Sequence, residues 1–159
     1  MKKLWYLSPL LLLAIYFFSF RAKPNMPSFK LLLLDSVTVF DTKDIPGGKP
    51  SILIFFSPDC EHCQAETASI LKNMDSLKNV NFYFITTDSI HQMKVFNGYY
   101  NLPRFSNITV GRDINYSFSS KFSGAVPPFS VLYDRHKMLR FLFNGETTAS
   151  QFLGAIRKL

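Results

Sequence analysis

The chain has 159 residues, room for one domain with a core of its own, and 18 % charged with 16 % aromatic residues describes a globular protein rather than a disordered one. The net charge of +7 suggests a nucleic-acid partner until it is located: Lys2, Lys3, Arg21 and Lys23 flank one apolar run, and without them 14 basic residues face 11 acidic ones. No basic stripe with interleaved aromatics remains, so a nucleic-acid partner is not expected.

Leu4 to Phe20 is a run of 17 residues without a charge, preceded by Met1-Lys2-Lys3. It is expected to be a membrane helix near the lower length limit, the alternative being the core of a signal peptide. Cleavage after Ala22 or Ser19 would place Phe20 or Phe17 where a small residue is needed, which favours retention as an anchor. No cysteine lies near the run, so lipid attachment there is excluded. Two basic residues on each side leave orientation open by charge, and the short basic start favours export of the C-terminal part. Residues 1–23 are therefore read as a signal anchor or signal peptide, and residues 24–28, with Pro24, Asn25 and Pro27, as a linker.

From residue 29 to 159 the pattern is that of one α/β domain. Phe29–Leu34 and Val37–Phe40 are expected as strands, and residues 44–50 as a loop. Ser51–Phe56 is uninterrupted apolar sequence, as in a strand buried on both faces. Apolar residues at Ala65, Ala68 and Leu71, and at Ile70, Met74 and Leu77, then recur with helical spacing. Phe82–Thr87 is a further strand. Asp88 or Ser89 caps a helix carrying Ile90, Met93, Phe96 and Tyr100, which Pro103 ends. After a short strand at Ile108–Val110, Asp113 is expected to cap a small helix with Ile114, Phe118 and Phe122, ended by Gly124. Phe129–Tyr133 and Met138–Phe143, joined by a short polar link, form an antiparallel hairpin. Asn144-Gly145 turns the chain, and Thr147 or Thr148 caps a last helix with Ala149, Phe152, Leu153, Ile156 and Leu159 on one face. Alternating strands and helices followed by a hairpin imply a mixed central sheet with helices on both faces.

Cys60 and Cys63 are the only cysteines. A bridge across so short a loop adds little stability, so the pair reads as reactive chemistry rather than as a staple; the bland reading is two cysteines packed as small hydrophobes. With Asp59 as N-cap, both cysteines fall on the first turn of a helix that follows a buried strand. There the helix dipole and free N–H groups favour the thiolate. Cys60, nearest the opening, is the expected attacking thiol and Cys63 the resolving one. Protonated His62 favours the Cys60 thiolate, whereas Glu61 and Asp59 oppose it.

Residues 55–63 together with Val126-Pro127-Pro128 before the hairpin resemble the thioredoxin-like superfamily, above all the membrane-anchored bacterial thiol–disulfide oxidoreductases typified by TlpA and ResA. The resemblance covers Phe29 to Leu159. It implies a thioredoxin-like fold and exchange through a mixed disulfide, with no cofactor beyond the cysteine pair. It also implies a cis peptide at Pro128 against the cysteines, with Val126, Pro127 and Pro128 binding an extended substrate segment. Glu66, three residues after the second cysteine, matches a glutamate common in that group; it is expected to relay a proton to Cys63, the alternative being a solvated helix glutamate. The implied partners are exported thiol or disulfide proteins, a membrane electron donor or acceptor, and the membrane itself through the N-terminal helix. The implied setting is the bacterial envelope, with the domain on the extracytoplasmic side as a monomer. Three positions depart from thioredoxin: Ile54 replaces its buried aspartate, Asp59 its tryptophan and His62 its proline. Histidine at that last position resembles disulfide isomerases and oxidases.

Two other readings compete. One is an envelope copper-binding or delivery module using Cys60, Cys63 and His62, since soft thiolates suit Cu(I). The other is a non-catalytic thioredoxin-like interaction domain. His91 and His136 are read as ordinary surface residues, and Gln64 after the second cysteine argues against covalent haem attachment.

Overall fold

Two fully apolar stretches fix the middle of the sheet. In the computed structural model, which describes residues 26–159, strand β3 (Ser51–Phe55) is buried at every position and β4 (Asn81–Thr86) at all but its first. They pair in parallel from Ser51↔Asn81 to Phe55↔Ile85. β5 (Ile108–Arg112) continues the parallel set beside β4. The hairpin adds β6 (Phe129–Tyr133), antiparallel to β3, and then β7 (Leu139–Asn144). The opposite edge is closed by β1 (Lys30–Leu33), antiparallel to β5, and β2 (Val39–Asp41). The seven-stranded order is β2-β1-β5-β4-β3-β6-β7. At Gly111 of β5 an added Cβ would lie 2.8 Å from Leu31 Cβ, so the missing side chain lets β1 approach.

Side chains alternate across this sheet, as strand geometry requires, and make two cores. On one face Ile52, Ile54, Phe82, Phe84 and Leu132 pack under four helices: α1 (Glu61–Lys72), α2 (Met74–Leu77), α3 (Ile90–Tyr99) and α5 (Ala149–Ile156). On the other, Leu53, Phe55, Tyr83, Ile85 and Val131 pack under Phe29, Ile45 and the short helix α4 (Ser117–Lys121). The expected mixed sheet with helices on both faces is present, but among the described residues the only α-helix on the second face is this five-residue one. Phe118 compensates there: it is fully buried and meets the rings of Phe29, Phe55, Phe122 and Phe129 at 4.6–6.2 Å.

Several local expectations change. The buried stripe of α1 runs through Cys63, Glu66, Thr67 and Ile70, while Ala65 and Ala68 face solvent. Burial of Glu66 and Thr67 is possible because both side chains are hydrogen-bonded, Thr67 Oγ1 donating to the Cys63 carbonyl at 2.8 Å. Asp113 is not the N-cap residue of α4, which is Tyr116 at φ 53°. Asp113 instead accepts from Phe118 N–H at 2.7 Å and Asn115 N–H at 3.2 Å, so it closes the turn from further back and leaves Ile114 45 % exposed. The last helix stops at Ile156, and Leu159 lies beyond it, 41 % exposed. Ser89 and Thr148 are the caps of α3 and α5, each in a reciprocal box with a glutamine three residues on.

The expected membrane helix at Leu4–Phe20 lies outside the described residues, as do Pro24 and Asn25. Among the described residues no helix is long and apolar enough to cross a membrane. Met26 is buried and its N–H donates to the Lys137 carbonyl at 3.2 Å; the Pro27 carbonyl accepts from Thr42 Oγ1 at 2.7 Å.

Phe118→Ala should cost about 3–5 kcal/mol, the usual range for an aromatic truncated in a packed core. A urea midpoint close to wild type would show that the second face does not rest on this ring.

Candidate active site

The site forms at the carboxyl end of the parallel strands, where β3 leaves the sheet. Phe56 N–H still bonds to the Ile85 carbonyl at 2.9 Å, and then Ser57 and Pro58 turn the chain, with Cys60 N–H donating to the Ser57 carbonyl at 3.2 Å. This turn makes Cys60, not Asp59, the N-cap of α1. The Cys63 N–H donates to Cys60 Sγ at 3.2 Å, and Gln64 N–H to the Cys60 carbonyl at 3.0 Å. A sulfur thus occupies the place where an Asp or Ser oxygen would satisfy an orphan helix donor. That N–H is aimed at Cys60 Sγ, the sulfur nearer the surface. Asp59 instead accepts from Gln92 Nε2 of α3 at 3.0 Å.

Both thiols are free, Cys60 half-buried and Cys63 buried. Burial chiefly, then a hydrogen bond with the Cys60 side chain, pushes the Cys63 thiol far above its ordinary range, and the charge on Glu66 adds to this. The two cysteines therefore differ as an attacking and a resolving thiol should: one accepts a backbone N–H near the surface, the other needs help to lose its proton.

Glu66 lies one helical turn beyond Cys63 and is 1 % exposed, which rules out the solvated-glutamate alternative. Its Oε1 accepts from Ser130 Oγ of β6 at 2.8 Å and its Oε2 from Thr147 N–H at 3.0 Å. Burial chiefly, with a smaller contribution from the charge on Glu146, pushes its carboxyl up to about 7 against the pull of those two hydrogen bonds. A buried acid titrating near neutrality beside a resistant thiol is suited to move a proton.

His62 is exposed, and its Nδ1 meets Glu146 Oε2 at 2.9 Å in the loop after β7. That engagement weakens its use as a metal ligand, and among the described residues no group of three or more His, Cys, Asp or Glu gathers as a metal site would need.

The Pro127–Pro128 bond is cis, as the resemblance implied. Because Phe129 pairs with Phe55, Pro128 sits at the same end of the sheet as the cysteine turn. Pro128 is buried and its carbonyl accepts Gly145 N–H at 3.0 Å. Pro127 and Pro128 have no N–H, so of the three expected substrate-binding residues only Val126, 65 % exposed, offers a donor to an incoming strand. Behind this loop an apolar groove of about 680 Å³ is lined by Phe122, Val126, Phe129, Leu139 and Leu142 among others.

Sequence reasoning missed Ser130, Thr147 and Glu146. Ser130 left a signal, being the lone hydroxyl within the apolar strand Phe129–Tyr133 apart from the terminal tyrosine; Glu146, 84 residues from His62, left none.

A dithiol at a helix N-terminus, a cis-proline at the same sheet end and this strand order define a thioredoxin-like redox protein. The chain belongs to the AhpC/TSA family, whose profile matches residues 23–148. No curated protein sequence matches it. Solved structures similar to it include a secreted Mycobacterium tuberculosis disulfide oxidoreductase homologous to E. coli DsbE, at 26 % identity over 82 % of this chain and 96 % of that one, TM-score 0.67. The Mycobacterium tuberculosis protein dsbF, in mixed oxidised and reduced forms, is 22 % identical over 82 % and 93 % of the two chains, TM-score 0.68. Reduced 2-Cys peroxiredoxin from Plasmodium vivax is 19 % identical over 86 % and 80 %, TM-score 0.67. The last two share the fold. Thioredoxin-like oxidoreductases of this kind work through cysteine redox and need no cofactor.

The elevated Glu66 carboxyl has a sign that stability measurements read. Between the ordinary value of 4.5 and about 7 the folded chain keeps a proton that the unfolded chain has released, so stability falls as pH rises through that window. The loss amounts to about 3 kcal/mol by pH 8. Glu66→Gln should flatten this slope; urea midpoints from pH 4.5 to 8 check it, and a slope equal to wild type contradicts it.

Proposed function

We propose that this protein is a membrane-anchored thiol–disulfide oxidoreductase of the TlpA/ResA-like type, acting on exported proteins from the extracytoplasmic side of a bacterial envelope. The single observation that carries the chemistry is Cys60 Sγ accepting the Cys63 N–H at the start of α1. The uncharged run Leu4–Phe20 supports the anchor, and Glu66 after the second cysteine supports the subtype. Likeness to a secreted disulfide oxidoreductase supports exported substrates.

In the reducing direction the Cys60 thiolate attacks one sulfur of a substrate disulfide. A Cys60–substrate bond forms, the substrate S–S bond breaks, and one substrate thiolate leaves. Cys63 then gives its proton to Glu66 and attacks Cys60 Sγ. The Cys60–Cys63 disulfide forms, the second substrate thiolate leaves, and two electrons have passed to the substrate. The oxidising direction runs the same steps backwards. An exposed Val126 beside the cis-proline receives an extended substrate segment through its main chain. A membrane donor or acceptor resets the pair, and the domain works as a monomer.

Cys63→Ser should trap Cys60-linked mixed disulfides with exported proteins, seen as dithiothreitol-sensitive bands on non-reducing gels, and Cys60→Ser should abolish them. Absence of any such adduct contradicts the proposal; tight stoichiometric Cu(I) binding by the reduced chain in its place would favour the copper reading.

A further inference from the structure

Gly145, Glu146 and Thr147 are consecutive, and each touches a different part of the site. The Gly145 N–H donates to the Pro128 carbonyl at 3.0 Å. The Glu146 carboxylate meets His62 Nδ1 at 2.9 Å. The Thr147 N–H donates to Glu66 Oε2 at 3.0 Å. One short loop therefore holds the cis-proline, the residue between the cysteines and the buried acid in register. Building on the thiol–disulfide reading above, we propose that Glu146 is a positioning residue that couples the charge of exposed His62 to the proton occupancy of buried Glu66.

The coupling is electrostatic and its sign is set by the contacts. Glu146 is adjacent in sequence to the N–H that binds Glu66, so its negative charge opposes a second one on Glu66. Burial is the main reason Glu66 keeps its proton to about pH 7, and the Glu146 charge adds to that. Protonated His62 neutralises Glu146 and relieves the opposition. On its own helix Cys63 and His62 lie three and four residues before Glu66, the His62 ring turned out to Glu146; β6 presents the Ser130 hydroxyl and the loop the Thr147 N–H, neither of which titrates. On His62's own segment the charged or titratable neighbours are Asp59, Cys60 and Glu61. A substrate that covers or contacts His62 thereby changes how readily Glu66 takes the proton that Cys63 must lose.

The two partners are expected to act with opposite signs. Glu146→Gln removes the repulsion, so Glu66 should ionise at lower pH, by about half a pH unit, the size of one charge acting across a partly hydrated site. His62→Ala leaves Glu146 uncompensated and should shift ionisation upward. The double variant should lie close to Glu146→Gln, because the His62 ring is turned to Glu146 and reaches Glu66 chiefly through it. Infrared difference titration of the full chain reads this directly, following the protonated-carboxyl band that Glu66→Gln removes. Unchanged midpoints, shifts of the same sign, or a double variant that still responds to His62 would overturn the proposal. Insulin disulfide reduction by the wild-type chain, measured separately, tests the thiol–disulfide reading; the band titration needs no substrate, so either can fail without the other.

Discussion

The carboxylate of Glu66 is removed from water and held by Ser130 of β6 and by the main chain of Thr147. A buried carboxyl without such partners would cost several kcal/mol, so these two contacts are what allow an acid inside α1 at all. They also tie three separate segments together: the cysteine helix, the strand after the cis-proline and the loop between β7 and the last helix. The same loop reaches Pro128 and His62. The geometry of the redox site is thus fixed from below by one hydrogen-bonded acid, and the chemistry of that acid is set by the depth at which it is held.

Closer to the surface, the local chain path assigns the thiols their roles. β3 is buried on both faces and cannot shift, and the turn at Ser57-Pro58 delivers Cys60 to the cap position. A cap sulfur receives a backbone N–H; a sulfur three residues later points into the core. The asymmetry between Cys60 and Cys63 therefore comes from their spacing on a helix start rather than from the residues between them. His62, between the two cysteines, is turned to Glu146 in the loop after β7.

Much of this was legible in the sequence because it rests on local patterns. Ser51–Phe56 suits a buried strand, the polar link at residues 134–137 argues a hairpin, and Ser89 and Thr148 were each one of two candidate caps for the helices they start. The cysteine pair and Pro128 announced the chemistry through the family they resemble. What was not legible depends on tertiary contacts. Asp59 and Cys60 are both able to accept a helix N–H, and only the turn decides between them. Helical spacing alone could not choose the Ala65–Ala68 face or the Cys63–Glu66–Thr67 face, because the winning face buries two polar groups whose partners lie 64 and 81 residues away or within the helix. The same distance hid Glu146.

The central claim is that Cys60 and Cys63 form a reversible redox couple. Equilibration of the full chain in dithiothreitol and glutathione buffers, with the free thiols counted by alkylation, measures it most directly. A single two-electron transition is expected between about −270 and −120 mV, the range from thioredoxin to strongly oxidising dithiol proteins. A value near the lower end would assign reduction of exported disulfides, and one near the upper end oxidation or isomerisation. No two-electron transition at all would contradict the claim.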